Sequence, residues 1–137
     1  MVLVVVQGIE PQPGSGTSVV LLREVNGERA LPIWVGPGEA FAISIRLGNV
    51  QRDRPLTHDL AASFVNALGA RVVAARIHRC EGTMYFAEVV LERDGEAIVV
   101  DSRPSDSIAI ALRTGADILV ADHLFRPREP TAAAAPS

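Results

Sequence analysis

Two short stretches of this chain concentrate the side chains that phosphoryl chemistry uses. The first, Arg54-Pro55-Leu56-Thr57-His58-Asp59-Leu60, brings an arginine, an imidazole and a carboxylate together at the mouth of an apolar-periodic segment. At a helix mouth the backbone N–H groups point outward and favour phosphate oxygens. Histidine exchanges protons near neutral pH, and arginine braces charge developing on a phosphorane. The second stretch is Val100-Asp101-Ser102-Arg103-Pro104-Ser105-Asp106. Here a strand-end Asp101 and a first-turn Asp106 can share a divalent ion, Mg or Mn, with Arg103 between them. Glu39 follows a Gly36-Pro37-Gly38 loop, where backbone can approach a ligand closely. The candidate catalytic set is therefore His58, Asp59, Asp101 and Asp106. Candidate metal ligands are Asp101, Asp106 and Glu39, and candidate substrate contacts are Arg54, Arg103 and Ser105.

The same residue types also have structural uses. Thr57 can cap a helix whose dipole Asp59 complements, leaving His58 solvated. Ser102 or Ser105 can cap the next helix, with Asp106 facing its positive end and Arg103 pairing with an acid to fix the loop. Capping suits Glu39 as well. Other chemistries have no signature: there is no Walker A loop, no Gly-x-Gly-x-x-Gly, no Gly-x-Ser-x-Gly and no His-Glu-x-x-His. With one cysteine, Cys80, and three scattered histidines, His58, His78 and His123, a structural zinc site is not expected. Cys80 reads as a packing residue at a strand end.

These groups need a scaffold, and 137 residues are enough for one domain with a single buried core. An apolar content of 48% and a charged content of 21% exclude a wholly disordered chain. No apolar run approaches the ~18 to 20 residues of a membrane span, and the lone cysteine suits a reducing cytosol, so a cytoplasmic protein is expected. The net charge of −3 is unevenly spread. All thirteen basic residues are arginine; residues 44–80 hold six of them against two aspartates, a local +4 on an acidic chain. That basic middle can supply a phosphate-binding groove. Aromatic residues make up 4%, too few for an evident base-stacking platform, and Trp34 and Tyr85 read as core or interface residues.

Hydrophobic patterning predicts strands over residues 2–7, 18–25, 29–35, 71–79, 84–93, 97–101 and 118–121. Asn26-Gly27 reads as a type I′ hairpin turn and Asp94-Gly95 as another tight hairpin. Helices are expected after Gly36-Pro37-Gly38, over residues 58–68, and from Pro104, with glycines 48, 69 and 115 as stops. In the second helix Leu60, Phe64 and Leu68 recur every four residues and should face the core. Residues 126–137 lack an apolar pattern and read as a disordered tail. The domain is thus residues 1–125.

The helix-opening regions repeat at an offset of 67. Pro37, Ala42, Ile43, Arg46 and Gly48 match Pro104, Ala109, Ile110, Arg113 and Gly115, and Glu39 matches Asp106. The order strand, strand, strand, helix therefore occurs twice, with repeat cores at about 18–48 and 84–115. The expected fold is α+β, a duplicated unit of mostly antiparallel sheets packed with three main helices, in approximate twofold symmetry.

At Leu31-Pro32-Ile33-Trp34-Val35-Gly36-Pro37-Gly38-Glu39-Ala40, at Arg54 to Leu60, and at Asp101-Ser102-Arg103-Pro104-Ser105-Asp106-Ser107-Ile108-Ala109, the chain resembles the bifunctional nuclease domain family. The segments occur in the family's order and spacing, from about residue 1 to 125. The resemblance implies a compact α+β domain, usually an oligomer, with nuclease activity on DNA and RNA. Some relatives add a C-terminal module of the kind found in nucleotide excision repair proteins, where this chain has an Ala/Pro tail.

Two functions follow. One is a metal-assisted phosphodiesterase with His58 as proton shuttle and Arg54 and Arg103 on phosphate. The other is a non-catalytic regulatory or scaffold protein binding a protein partner or a small anionic ligand. They differ in geometry, since an enzyme requires Asp101, Asp106, His58 and Arg103 to converge on one open cleft. A homodimer is expected, because an antiparallel sheet with apolar edges needs cover.

Overall fold

The computed structural model describes residues 1–125, so the expected tail lies outside the described residues. Seven strands alternate with three helices: β1 (Val2–Pro11), β2 (Ser18–Glu24), β3 (Ala30–Val35), α1 (Pro37–Leu47), α2 (Thr57–Ala67), β4 (Arg71–Glu81), β5 (Met84–Arg93), β6 (Glu96–Ser102), α3 (Pro104–Thr114) and β7 (Asp117–Val120). A 3-10 turn, Asp122–Phe125, closes the described chain. The fold is α+β, and its strands form one sheet in the order β3-β2-β1-β7-β4-β5-β6. Only the β4–β7 pairing is parallel.

That order reads the same outward from β7 on both sides. Each unit is a three-strand meander followed by a helix, β1-β2-β3-α1 and β4-β5-β6-α3, with the first strand of each flanking β7. β1 is antiparallel to β7 and β4 parallel to it, so the two meanders run in opposite senses.

Strand alternation puts Val20, Leu22, Leu31, Ile33 and Val35 on the inner face, all buried. The intervening Val19, Leu21, Pro32 and Trp34 lie on the other face and stay partly exposed. Helix α3 is the most deeply set, burying Ile108, Ala109 and Ala111 in a cluster with Ile43 of α1, Ile77 of β4 and Val120 of β7. Each large aliphatic side chain so buried contributes about 1.5–3 kcal/mol. Tyr85 and Cys80 pack against the edge of this cluster.

Four local expectations are corrected. Helix α2 buries none of its residues, and Leu60, Phe64 and Leu68 are 47%, 60% and 68% exposed. Periodicity marks which face of a helix is apolar but not what covers it. The rotation of α2 is instead fixed by polar contacts from its first turn to α3, described below. Secondly, Asp94 and Gly95 take positive φ as a I′ turn requires, but Asn26 and Gly27 do not. There the Glu24 carboxylate accepts from the Arg29 N–H and guanidinium, and the Glu24 N–H donates to the Arg29 carbonyl, closing a wider loop. Thirdly, Gly48 ends α1 in a right-handed conformation and Asn49 takes the left-handed one at φ 53°. Lastly, β1 runs on to Pro11 after a bulge at Gln7, into what reads as loop.

Candidate active site

Pro37 and Pro104 open α1 and α3, where the missing N–H costs nothing. Both helix mouths meet at one cleft of about 330 Å³, lined by Gly38, Glu39, Phe41, Ala42, Leu56, Thr57, His58, Arg103 and Asp106. Arg103, the residue before α3, is its hub. Its Nε donates to Asp106 Oδ2 at 2.8 Å, its Nη2 to Asp106 Oδ1 at 3.1 Å and its Nη1 to Glu39 Oε1 at 2.8 Å. The guanidinium carries five N–H groups, so two remain for an anion. The repeat-equivalent acids Glu39 and Asp106 thus share a single arginine. The position matching Arg103 in the first unit is Gly36, and a Cβ there would stand 2.7 Å from Glu39 Oε2.

His58 comes to the cluster from the first turn of α2. Its Nε2 lies 2.9 Å from Asp106 Oδ1. Burial works to raise the Asp106 pKa, but the hydrogen bonds from Arg103 and His58 outweigh it and hold the carboxyl below the usual aspartate range. An ionised carboxylate only accepts, so Nε2 carries the proton and donates it to Asp106. In the neutral ring Nδ1 is then the nitrogen that keeps the lone pair. The His58 side chain is mostly buried, at 14% exposure, so its orientation is held.

The sequence candidates divide cleanly. His58, Arg103, Asp106 and Glu39 converge; Asp101 does not. In the β5–β6 register Ser102 pairs with the buried Ala87 and Asp101 with Glu88, so alternation turns Asp101 to the sheet face away from the helices. An Asp101–Asp106 metal pair is therefore not formed. Ser105 is fully buried and its hydroxyl has no hydrogen-bond partner among the described residues, which removes it as a substrate contact. Neither it nor Ser102 caps α3, whose N-cap is Arg103 without a side-chain cap. Arg54 lies outside the cleft, in an adjoining groove formed by residues 51–56 that meets it at Leu56.

Asp59 stands one step back, as a positioning residue. Its Oδ2 accepts the Leu56 N–H at 2.8 Å, so Leu56, not Thr57, is the N-cap of α2. Its Oδ1 accepts from Arg113 Nε at 2.7 Å. Arg113 also donates to the carbonyls of Ala109 and Ala42 and is 4% exposed, tying α1, α2 and α3 together. Arg46, its repeat partner, donates to the Leu112 carbonyl from an exposed position. Sequence reading passed over Arg113 because nothing in its spacing separates it from a surface arginine; only the match to Arg46 marked it.

Burial pushes the Asp59 pKa up, but the Leu56 N–H and Arg113 pull it further down, so it stays below the ordinary aspartate value. A depressed carboxylate adds stability above its unfolded pKa, near 3.9, and loses it as pH falls through the folded value. Stability should accordingly be flat from about pH 7 to 5 and drop below about pH 4 as Asp59 and Asp106 protonate. Urea unfolding at stepped pH checks this. Asp59→Asn should start lower and lose less on acidification, whereas identical slopes for the two proteins would break the linkage.

A family model described as "Bifunctional nuclease domain" matches residues 20–131. An uncharacterized protein of Mycobacterium tuberculosis (strain H37Rv) is 44% identical over 115 residues, which is 84% of this chain and 68% of that protein. Bifunctional nuclease 2 of Oryza sativa subsp. japonica is 33% identical over 113 residues, 80% of this chain and 34% of its own length. Bifunctional nuclease 1 of Arabidopsis thaliana is 31% identical over 110 residues, 78% of this chain and again 34% of its own. The chain spans about a third of these plant proteins.

Proposed function

Because this chain belongs to the bifunctional nuclease domain family, we propose that it hydrolyses phosphodiester bonds of DNA and RNA with little base specificity, at the cleft where α1, α2 and α3 meet. The observation that carries this reading is the His58–Asp106 pair at 2.9 Å, beside an arginine with N–H groups to spare. His58 Nδ1 takes a proton from water as the water oxygen bonds to phosphorus. The P–O bond to the leaving sugar oxygen breaks, and that oxygen takes a proton from solvent. Arg103 stabilises the charge gathering on the phosphoryl oxygens. Arg54, which makes no ion pair among the described residues, holds a neighbouring phosphate.

A Mg or Mn ion suits this donor set poorly. Both Asp106 oxygens and one Glu39 oxygen are already engaged by Arg103 and His58, and among the described residues no group of three His, Cys, Asp or Glu side chains is placed to hold a metal ion. Arg103 supplies the positive charge an ion would bring.

The test is cleavage of single-stranded and duplex DNA and RNA by highly purified protein with Mg²⁺, Mn²⁺ or EDTA. Cleavage that persists in EDTA and disappears in His58→Ala is expected. Dependence on metal would overturn the arginine-centred mechanism. Activity unchanged by His58→Ala would remove the site.

The scaffold reading has its own support in surfaces left uncovered. Helix α2 presents its apolar ridge to solvent, and β6 is an unpaired edge with Ile98, Val99 and Val100 all exposed. The opposite edge, β3, carries Pro32, which blocks strand addition; β6 has no such guard. A homodimer along β6 belongs to both readings. No described helix is long and apolar enough to cross a membrane. The free Cys80 supports a reducing, cytoplasmic setting. Absence of cleavage by the wild-type protein would leave the scaffold as the function.

A further inference from the structure

We infer that Phe41 is a base-stacking platform and that the cleft takes single-stranded nucleic acid, one unpaired base lying against the Phe41 ring. The inference rests on the hydrolase reading above and adds its substrate class.

Ala40 and Ile43 of α1 are buried against the core, so Phe41 falls on the outer side of the helix and is 49% exposed. Its burial is not needed for the core. Yet it is no stray surface residue, because it lines the same cleft as His58, Arg103, Asp106 and Glu39. Of the six aromatic residues in the chain, Phe41 and Phe64 alone are strongly exposed, and Phe64 lines neither this cleft nor the groove beside it.

A second feature identifies the occupant. The guanidinium of Arg52 lies over the Phe41 ring at 5.5 Å from its centroid, in the exposed stretch that also carries Arg54. Elsewhere in the molecule Arg79 sits over Phe86 at 4.0 Å, a close stack between β4 and β5. The Arg52 contact is looser and comes from an irregular, exposed segment. A base inserted between ring and guanidinium, with Arg52 displaced outward to admit it, meets a π face on each side, while Arg54 lies along the backbone phosphates. Neither arginine has a carboxylate partner among the described residues, and although Asp53 lines the same groove the two cations leave it net positive toward a polyanion.

Aromatic faces do not discriminate among bases, which agrees with low base specificity. They do discriminate strandedness. A base paired within a duplex must be unstacked and swung out first, at a cost of a few kcal/mol. Single strands are therefore the preferred substrate.

The experiment compares Phe41→Ala, Phe41→Tyr and Phe41→Trp in the full chain. With single-stranded oligonucleotides Phe41→Ala should raise KM roughly 5- to 100-fold at little-changed kcat, and the aromatic variants should restore it. On an oligonucleotide with an abasic residue at the cleavage site, the Phe41→Ala penalty should vanish. In parallel, binding is read without cleavage. Trp34 is the chain's single tryptophan, so Trp34→Phe with Phe41→Trp leaves one reporter at the cleft. Oligo-dT should quench its emission, and a duplex of the same length should need at least about ten times the concentration. Quenching in a protein that cleaves nothing would sink the hydrolase reading and keep this inference. Full cleavage with a harmless Phe41→Ala would do the reverse. Equal quenching by single strand and duplex would also overturn the inference.

Discussion

Asp106→Asn is expected to slow phosphodiester cleavage by about 10²- to 10⁴-fold, the range a positioned general base contributes. The substitution removes no volume, so the loss arises from proton placement. Asp106 accepts from His58 and Arg103 at Oδ1 and from Arg103 again at Oδ2. An asparagine amide must set its NH₂ against one of these donors. Facing Arg103 Nε, it opposes donor to donor and loosens the guanidinium. Facing His58, it forces Nε2 to accept, moves the ring proton to Nδ1 and leaves no base. Circular dichroism and thermal unfolding would establish that the variant folds. His58→Ala combined with Asp106→Asn should be no slower than the worse single variant, because the pair acts as a unit. Asp101→Asn, on the far face of the sheet, should stay within about twofold of wild type. A wild-type rate in Asp106→Asn would end the proposal for this cleft.

Arg113→Leu should be the most destabilising arginine substitution, by about 2–4 kcal/mol, with Tm lowered by roughly 6–15 °C. Its guanidinium is almost completely enclosed and joins Asp59 to two helix carbonyls, so leucine leaves a void and an unpaired Asp59. The repeat-equivalent Arg46→Leu should cost under about 1 kcal/mol, since its side-chain hydrogen bond to the Leu112 carbonyl, at 3.2 Å, is made at the surface. Arg113→Lys keeps the charge without the fork and should fall between them. Because Asp59 fixes the first turn of α2, Arg113→Leu should also lower activity at temperatures where the protein is still folded. Equal Tm losses for Arg113→Leu and Arg46→Leu would show that burial does not separate the two arginines.

Much of the scaffold was legible because local rules and global fold agree. Apolar, β-branched runs bounded by turn residues located all seven strands, and proline and glycine located the ends of α1 and α3. The matching of Pro37 to Gly48 with Pro104 to Gly115 anticipated the meander-helix units flanking β7. Where reading failed, a tertiary contact had overruled a local preference. The Asn26-Gly27 dipeptide yielded to the Glu24–Arg29 pairing, and α2 yielded its apolar face to the grip of His58 and Asp59 on α3. For the site, types and spacing brought out His58, Arg103, Asp106 and Glu39. Asp101 was misplaced because adjacency in sequence says nothing of side: one residue along a strand reverses the face. Phe41 was overlooked because an aromatic in a helical pattern reads as core until its exposure is seen.

The shared arginine also bears on the symmetry of the fold. Arg103 and Asp106 belong to one repeat unit, Glu39 to the other, and His58 to the segment that joins them. A lone unit pairing with an identical copy would carry the same residue at positions 36 and 103. With arginine at both, two cations would answer two acids; with glycine at both, the acids would face each other unneutralised. The arrangement of one cation, two acids and one imidazole needs unlike halves and a linker between them. The two units therefore cannot be interchanged at this cleft: the symmetry of the sheet stops at positions 36 and 103, where one unit carries the cation and the other only makes room for it.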